Sequence, residues 1–305
     1  MATALRVSRH RVGRKRGRRI IHGILVLLAL GFIMPFMLVI SASLSDNDTV
    51  LLHGYRLWPV KFSLEAYRFL FLDPHQLLTS YRVSIVITAV GTIGGLLISS
   101  MLAYALSRRG FRLRGPFSFL VYFTILFSGG VVPYYILMTR YLHLQDNILA
   151  LILPGLLSPW YVLLLRTYFR SLPGELLDAA KVDGANEFQI FFRIALPLSK
   201  PALVTIGLFY ILAYWNNWFS ALLFIRSPDL SPLQYTLYRV MADLQFLTDN
   251  MSQLPGGAIL PRLPMATTRM ALAVLGAAPV VVIFGFLQKY FVGGLTVGAF
   301  KGGAE

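Results

Sequence analysis

Six stretches of this chain run for about twenty residues with scarcely a charged side chain, and that pattern leaves few folds open. They cover residues 20–43, 83–106, 117–138, 147–165, 202–225 and 270–288. A helix rising 1.5 Å per residue needs about 20 apolar residues to cross roughly 30 Å of hydrocarbon. None of the six holds Asp, Glu or Lys in its interior. Of the 305 residues, 56% are hydrophobic and 13% charged, against about 25% charged in a soluble domain. So little charge cannot cover a water-facing surface. The composition points to an all-α polytopic membrane protein with six transmembrane helices. The fourth stretch is interrupted by Pro154 and Pro159, which a membrane helix accommodates when its neighbours satisfy the freed carbonyls.

The distribution of charge then orients the chain. The formal net charge is +15, but the basic residues are not gathered as a nucleic-acid site would gather them. Arg6, Arg9, Arg11, Arg14, Lys15, Arg16, Arg18 and Arg19 precede the first stretch, and Arg108, Arg109, Arg112 and Arg114 fill the second connection. Arg166, Arg170, Lys181, Arg193 and Lys200 lie in the fourth, and Lys289 and Lys301 follow the last stretch. Nineteen of the 28 basic residues thus fall on one side of six alternating spans, and eight of the 13 acidic residues on the other. Basic residues collect in cytoplasmic segments near span ends, so both termini and the loop 166–201 are expected in the cytoplasm. The basic residues 1–19 read as a topogenic, lipid-facing segment, followed by one transmembrane domain over 20–305. The first apolar run is about twice the length of a signal-peptide core, so an uncleaved first span is expected.

Chemistry is conspicuous by what is missing. There is no cysteine, hence no disulfide, thiolate nucleophile or cysteine metal site. The Gly-Lys pair that a phosphate-cradling loop requires occurs nowhere. No carboxylate is available inside a span, where an ion-coupled carrier would keep one. The histidines, His10, His22, His53, His75 and His143, have no ligand spacing. No catalytic residue, metal site or cofactor of its own is expected. A secondary carrier or channel, or a polytopic membrane enzyme, stays as the alternative class. If the chain transports, its energy comes from another subunit.

One segment departs from the apolar pattern. "ELLDAAKVDGANEFQIFFRIALPLSKP", residues 175–201, concentrates charge between two apolar blocks. Pro173 and Glu175 suit a helix start. Leu176, Leu177, Ala180 and Val182 are expected to share a face at helical spacing. Asp183-Gly184 breaks the helix, because glycine accepts the left-handed conformation of a sharp turn. A second short helix is expected from Glu187 to Ile194, ending before Leu196-Pro197. A helix-turn-helix lying on the cytoplasmic face suits docking into a partner's groove; it would equally serve as a connector resting on headgroups.

The same segment resembles the "EAA" cytoplasmic loop of permease subunits of type I ABC importers. Asp178-Ala179-Ala180, then Gly184-Ala185, and later Ile194-Ala195-Leu196-Pro197 match that pattern in order and spacing. Asp178 stands where the family usually has Glu, one methylene longer. Further along, "GYRLWPVKFSLEAY" (54–67), "FSGGVVPYYILM" (127–138), "YWNNWFSALLFI" (214–225), "PLQYTL" (232–237) and "QKYFVGGLTVGAFKG" (288–302) are similar to carbohydrate-uptake permeases. They resemble in particular the branch for complex oligosaccharides and polysaccharides, which includes alginate importers. The resemblance implies the type I importer permease fold, with a coupling helix that enters a cleft of the ATPase. Its coupling residues would be Glu175, Asp178, Ala179, Ala180, Asp183, Gly184, Ala185, Phe188, Ile194, Leu196 and Pro197. It also implies two copies of a cytoplasmic ATPase, which carry ATP and Mg, and a homologous second permease subunit. An extracytoplasmic sugar-binding protein, a saccharide substrate, the bacterial inner membrane and its lipid complete the setting, with no nucleic acid.

In the fifth stretch, Trp215, Asn216, Asn217 and Trp218 place two amides near the middle of 202–225. Unpaired amides in hydrocarbon cost several kcal/mol, so they must face protein or a watery path. Aromatic faces beside amides suit a saccharide; interhelical packing is the other use of such groups. Successive residues point about 100° apart, so one Asn and one Trp are expected on the path. Tyr134 and Tyr135, and more weakly Trp160, are further path candidates that an interfacial aromatic belt would also explain.

Overall fold

Apolar runs in lipid leave the backbone no partner but itself, and these runs fold as helices. The computed structural model describes residues 2–249 and 264–299. Pro255, Gly256, Gly257, Pro261, Arg262 and Lys301 lie outside that description, as do the side chains of 2–19. In chain order the helices are α1 (Ala2–Ser43), α2 (Asn47–His53), α3 (Glu65–Leu70), α4 (Pro74–Ser107), α5 (Arg114–Leu126), α6 (Val131–Ile136), α7 (Leu149–Ile152) and α8 (Pro159–Arg170). They continue as α9 (Gly174–Val182), α10 (Glu187–Ile190), α11 (Leu196–Leu198), α12 (Lys200–Trp215), α13 (Trp218–Phe224), α14 (Leu233–Asp249) and α15 (Met265–Ala299). Among the described residues there is no strand, only an isolated bridge between Ser45 and Phe62.

Among the described residues, three helical segments are long and apolar enough to cross a membrane alone: Ile20–Ser43, Pro74–Ser107 and Met265–Lys289. Three further pairs qualify together but bend at a break, by 114° at 127–130, 43° at 156–158 and 83° at Ser199. The expected continuous helix over 202–225 is interrupted. The Asn216 amide donates back to the Leu212 carbonyl at 2.9 Å, and the Asn217 carbonyl accepts the Ser220 N–H at 3.2 Å. One asparagine thus closes α12 and the next caps α13, the local competition that short amide side chains offer a helix. The stretch 117–138 likewise stops at Leu126 and restarts after Gly130, whose φ is +82°.

The chain divides into two compact units, residues 1–72 with 246–275, and residues 73–245 with 276–305. In the first, the Ser43 hydroxyl is within 3.0 Å of the Tyr67 hydroxyl. The Asp46 carboxylate caps α2 through Thr49 and pairs with Lys61 at 3.1 Å. The hydrogen bond from Lys61, more than any other contact, holds the Asp46 carboxyl below its ordinary range. The Asn47 side chain accepts the Ala266 N–H at 3.1 Å, in the first turn of α15.

In the second unit α4 packs against both α12 and α8. Close approach to α12 needs glycine: the Tyr214 ring lies over Gly91 and the Tyr210 ring over Gly95. Both tyrosines then reach the break between α7 and α8. The Tyr214 hydroxyl donates to the Ile152 carbonyl at 2.9 Å, and the Tyr210 hydroxyl to the Leu156 carbonyl at 3.2 Å. Both carbonyls lie in or beside the interrupted stretch between α7 and α8, so α12 supplies hydrogen-bond donors to the broken segment.

Candidate functional site

The polar segment between α8 and α12 is built by local rules. Glu175 sits exposed in the first turn of α9, near the positive end of the dipole. Asp183 ends the helix and Gly184 takes φ +83°. The Gly184 N–H then bonds the Lys181 carbonyl at 3.0 Å and the Ala185 N–H bonds the Ala180 carbonyl at 2.9 Å, a left-handed C-terminal cap. Asn186 opens α10 with a reciprocal box. Its carbonyl accepts the Gln189 N–H at 2.8 Å, and the Gln189 carbonyl accepts the Asn186 N–H at 2.9 Å.

Two expectations need correction here. The apolar residues of α9 do not share a face: Leu177 is 3% exposed while Val182 is 88% and Leu176 50% exposed. At 100° per residue Leu176, Ala180 and Leu177 span about 100°, with Leu176 at the exposed edge of that arc, whereas Val182 falls at least about 120° from each of them. The second helix also does not stop before Leu196. A wide turn over Phe191–Ala195 carries it through α11 to Leu198, and the chain bends only at Ser199.

The expected coupling residues therefore sort by exposure. Ala179, Phe188 and Pro197 are exposed; Ala180, Ala185, Ile194 and Leu196 are half-buried against the core. The Asp178 side chain is 76% exposed, with its oxygen 3.9 Å from the Arg108 guanidinium. Glu187, unremarkable in the sequence, is the centre of the cluster. It accepts the Tyr104 hydroxyl at 2.8 Å, pairs with Lys181 at 2.6 Å and lies 3.8 Å from Arg108. The Tyr104 ring packs on Phe169 of α8 and on Phe191. The end of α4, the end of α8 and the polar segment are thus tied at one residue. Tyr104 and Arg108 stand i and i+4 on one helix face, the only signal in the sequence that could have picked them out.

At the other end of α12 the candidate path residues separate. Trp215 is enclosed, and its indole N–H donates to the Gly276 carbonyl at 2.9 Å. That bond holds its ring inside this chain. Asn216 is exposed, Asn217 half-buried, and Trp218 stacks on Tyr238 with centroids 4.6 Å apart. Tyr134 and Tyr135 both pack on Phe224, edge-on at 5.4 Å and stacked at 5.9 Å. Nearby, Asp146 at φ +55° accepts the N–H groups of Arg226 and Ser227, each at 2.9 Å, and the Ser227 hydroxyl. The hydrogen bond from the Ser227 hydroxyl, first among these, lowers the Asp146 pKa from its ordinary value. Among the described residues no group of three or more His, Asp or Glu is placed to hold a metal ion.

Residues 95–297 match the family described as binding-protein-dependent transport system inner membrane component. The polygalacturonan/rhamnogalacturonan transport system permease protein YtcP of Bacillus subtilis is 38% identical, over 93% of this chain and 97% of its own length. The arabinooligosaccharides transport system permease protein AraQ of the same organism is 32% identical, over 91% of this chain and 93% of its own. Among solved structures, a chain from the crystal structure of a bacterial ABC transporter involved in the import of the acidic polysaccharide alginate is 31% identical. It superposes with a TM-score of 0.75, covering 90% of this chain and 97% of that one. Helical architecture, matched family region and near full-length relatives agree: the chain belongs to the family of inner membrane components of binding-protein-dependent transport systems, as a multi-pass permease of the ABC importer type.

Proposed function

We propose that this chain is one of two homologous permease subunits of an ATP-driven bacterial importer. The importer would take an oligo- or polysaccharide from an extracytoplasmic sugar-binding protein into the cytoplasm by alternating access. Six spans, with both termini and the loop 166–201 in the cytoplasm, follow from the charge distribution. Two copies of a separate ATPase hold ATP and Mg; this chain binds no cofactor and does no covalent chemistry.

The observation that carries the reading is the two-sided segment 174–198. Leu176 and Val182 stand exposed on α9, apolar side chains available to a partner's groove. The same segment is fastened inward through Glu187 and Phe191 to Tyr104. Movement of α9 on ATP-driven closure would pass to α4, and from α4 to α12 through the Tyr210 and Tyr214 rings seated on glycine. The far end of α12 carries Asn216 and, two residues on, the Trp218–Tyr238 stack. An amide beside an aromatic face suits a sugar's hydroxyl and C–H surfaces, and these are the path candidates, with Tyr134, Tyr135 and Asn217 behind them. The named relatives support the substrate class, from arabino-oligosaccharide to galacturonan and alginate. An acidic polymer would find Arg82 and Arg140, both exposed.

The test is ATP hydrolysis in liposomes holding the chain with its co-encoded permease and ATPase, with sugar-loaded binding protein outside. Gly184 has open space where a Cβ would stand, so replacement acts through backbone strain of about 1–2 kcal/mol and not through a clash. Gly184→Val is expected to assemble and to lose roughly tenfold in stimulation. Equal stimulation of both would remove the segment's coupling role, and an ATPase that never binds the chain would remove the importer.

A further inference from the structure

Beside α9, on the side that carries Leu177, lies a cleft of about 1220 Å³. Gly174, Leu177, Asp178 and Lys181 form its wall on α9, a stripe at i, i+3, i+4 and i+7. Arg108 and Arg109 enter from the end of α4, Arg114 from the start of α5 and Arg170 from the end of α8. Five basic side chains therefore face two carboxylates, Asp178 and Glu187. Both carboxylates are engaged, Glu187 by Lys181 at 2.6 Å and by Arg108, and Asp178 by Arg108. Among the described residues Arg109, Arg114 and Arg170 have no carboxylate within 4.0 Å. The floor is apolar, with Met101, Phe111 and Phe169; the exposed Phe117 packs on Phe111 with ring centroids 6.2 Å apart, and the exposed Leu113 precedes Arg114 in the chain.

Three candidate membrane segments end at this cleft, and the basic residues gathered there are those expected near cytoplasmic lipid phosphates. Basic pockets between helices on the cytoplasmic side hold anionic headgroups. The geometry points to a binding site for an anionic phospholipid, its phosphodiester held by Arg109, Arg114 and Arg170 and its acyl chain lying along Leu113 and Phe117. A soluble phosphate would use the guanidinium groups but not the apolar floor. Asp178 and Phe188, expected at the ATPase contact, also line the cleft, so an acidic loop of a partner protein is the competing occupant that the test must separate. Because α9 is one wall of the cleft, a bound lipid braces the polar segment against α4, and membrane composition then sets how stiff that link is. The inference shares with the proposed function only the placement of loop 166–201 at the cytoplasmic face.

The full chain in phosphatidylcholine nanodiscs carrying a small fraction of phosphatidylglycerol tests the site, with retained lipid read by native mass spectrometry. The wild type is expected to retain phosphatidylglycerol over phosphatidylcholine. The variant R109Q/R114Q/R170Q should lose affinity about a hundredfold, at roughly fivefold per basic group removed. R109K/R114K/R170K keeps the charge and should keep most of the binding, which separates loss of the site from loss of the fold. R193Q/K200Q, outside the cleft, should bind as wild type. The site is overturned if the triple Gln variant retains lipid as wild type does, or if R193Q/K200Q loses as much. It is also overturned if inorganic phosphate displaces the lipid, or if an acidic peptide competes where phosphatidylglycerol does not bind. Lipid retention is read without the ATPase, so retained lipid with unstimulated hydrolysis would count against the importer mechanism and not against the site.

Discussion

Replacing Gly91 by alanine should separate α4 from α12 in a way that a second substitution can undo. A Cβ built on Gly91 would meet three ring carbons of Tyr214, two of them at 2.5 and 2.6 Å, well inside van der Waals contact. The ring cannot swing aside freely, because its hydroxyl is fixed to the Ile152 carbonyl at 2.9 Å. Either the helices move apart or that hydrogen bond breaks. Overpacking of this kind costs about 1–3 kcal/mol, and a buried interhelical hydrogen bond adds roughly 0.6–1 kcal/mol. A total of about 2–4 kcal/mol, at roughly 2–4 °C per kcal/mol, lowers the apparent melting temperature by about 5–15 °C. The assay is thermal unfolding of the detergent-solubilised protein followed by size-exclusion chromatography. In a Tyr214→Ala background the ring is gone, so Gly91→Ala should then change stability by no more than about 0.5 kcal/mol. Tyr214→Phe keeps the ring but frees it from the Ile152 carbonyl, so it should rescue less than Tyr214→Ala does. If Gly91→Ala melts with the wild type, or if Tyr214→Ala fails to suppress it, the seating of α12 on α4 is not what holds this unit together.

Glu187→Gln removes the Lys181 pair and weakens the Tyr104 hydrogen bond, both half-exposed, for about 0.5–1.5 kcal/mol. Hydrogen exchange of residues 174–198 should rise several-fold, and unchanged protection would dismiss Glu187 as their anchor. Trp215→Phe removes the indole bond to the Gly276 carbonyl, which keeps its bond from the Gln234 amide at 3.2 Å, so the loss is about 0.5–1.5 kcal/mol; melting that matches the wild type would count against it. Asp146 has a lowered pKa in the folded chain, so its contribution is complete above the unfolded value, about 3.9. It is lost as pH falls through the folded value. Protease resistance of loop 142–148 should therefore decline below about pH 4 in the wild type and be lower and flat with pH in Asp146→Asn. A decline that persists in Asp146→Asn would sink this assignment.

Legibility in the sequence followed the range of the forces involved. Apolar length and charge placement are local sums, so the helical membrane class could be read from 20–43, 83–106 and 270–288 directly. The Gly184 turn was legible for the same reason, since a left-handed C-cap is decided by the residues that form it. The interruption at Asn216-Asn217 was not, although its cause is local. In the sequence two amides in an apolar run read as path lining or as packing between helices, and the bonds to Leu212 and Ser220 show a further role, closing one helix and capping the next. The face of α9 was misread because hydrophobicity alone does not say which side meets the core; Val182, apolar and 88% exposed, shows the difference.

By itself the sequence determined the solvent of this protein, its helical class and the sharp polar turn between two apolar blocks, because each depends on residues close along the chain. Only the tertiary structure decided that Glu187 is the anchor and that Trp215 is sealed inside. It also decided that tyrosines of α12 complete the broken segment at Pro154 and Pro159. Those roles rest on pairs separated by 83, 61 and 62 residues, Tyr104 with Glu187, Trp215 with Gly276 and Tyr214 with Ile152. A hydrogen bond acts over about 3 Å of space, and no pattern along one chain says which distant groups packing will bring that close.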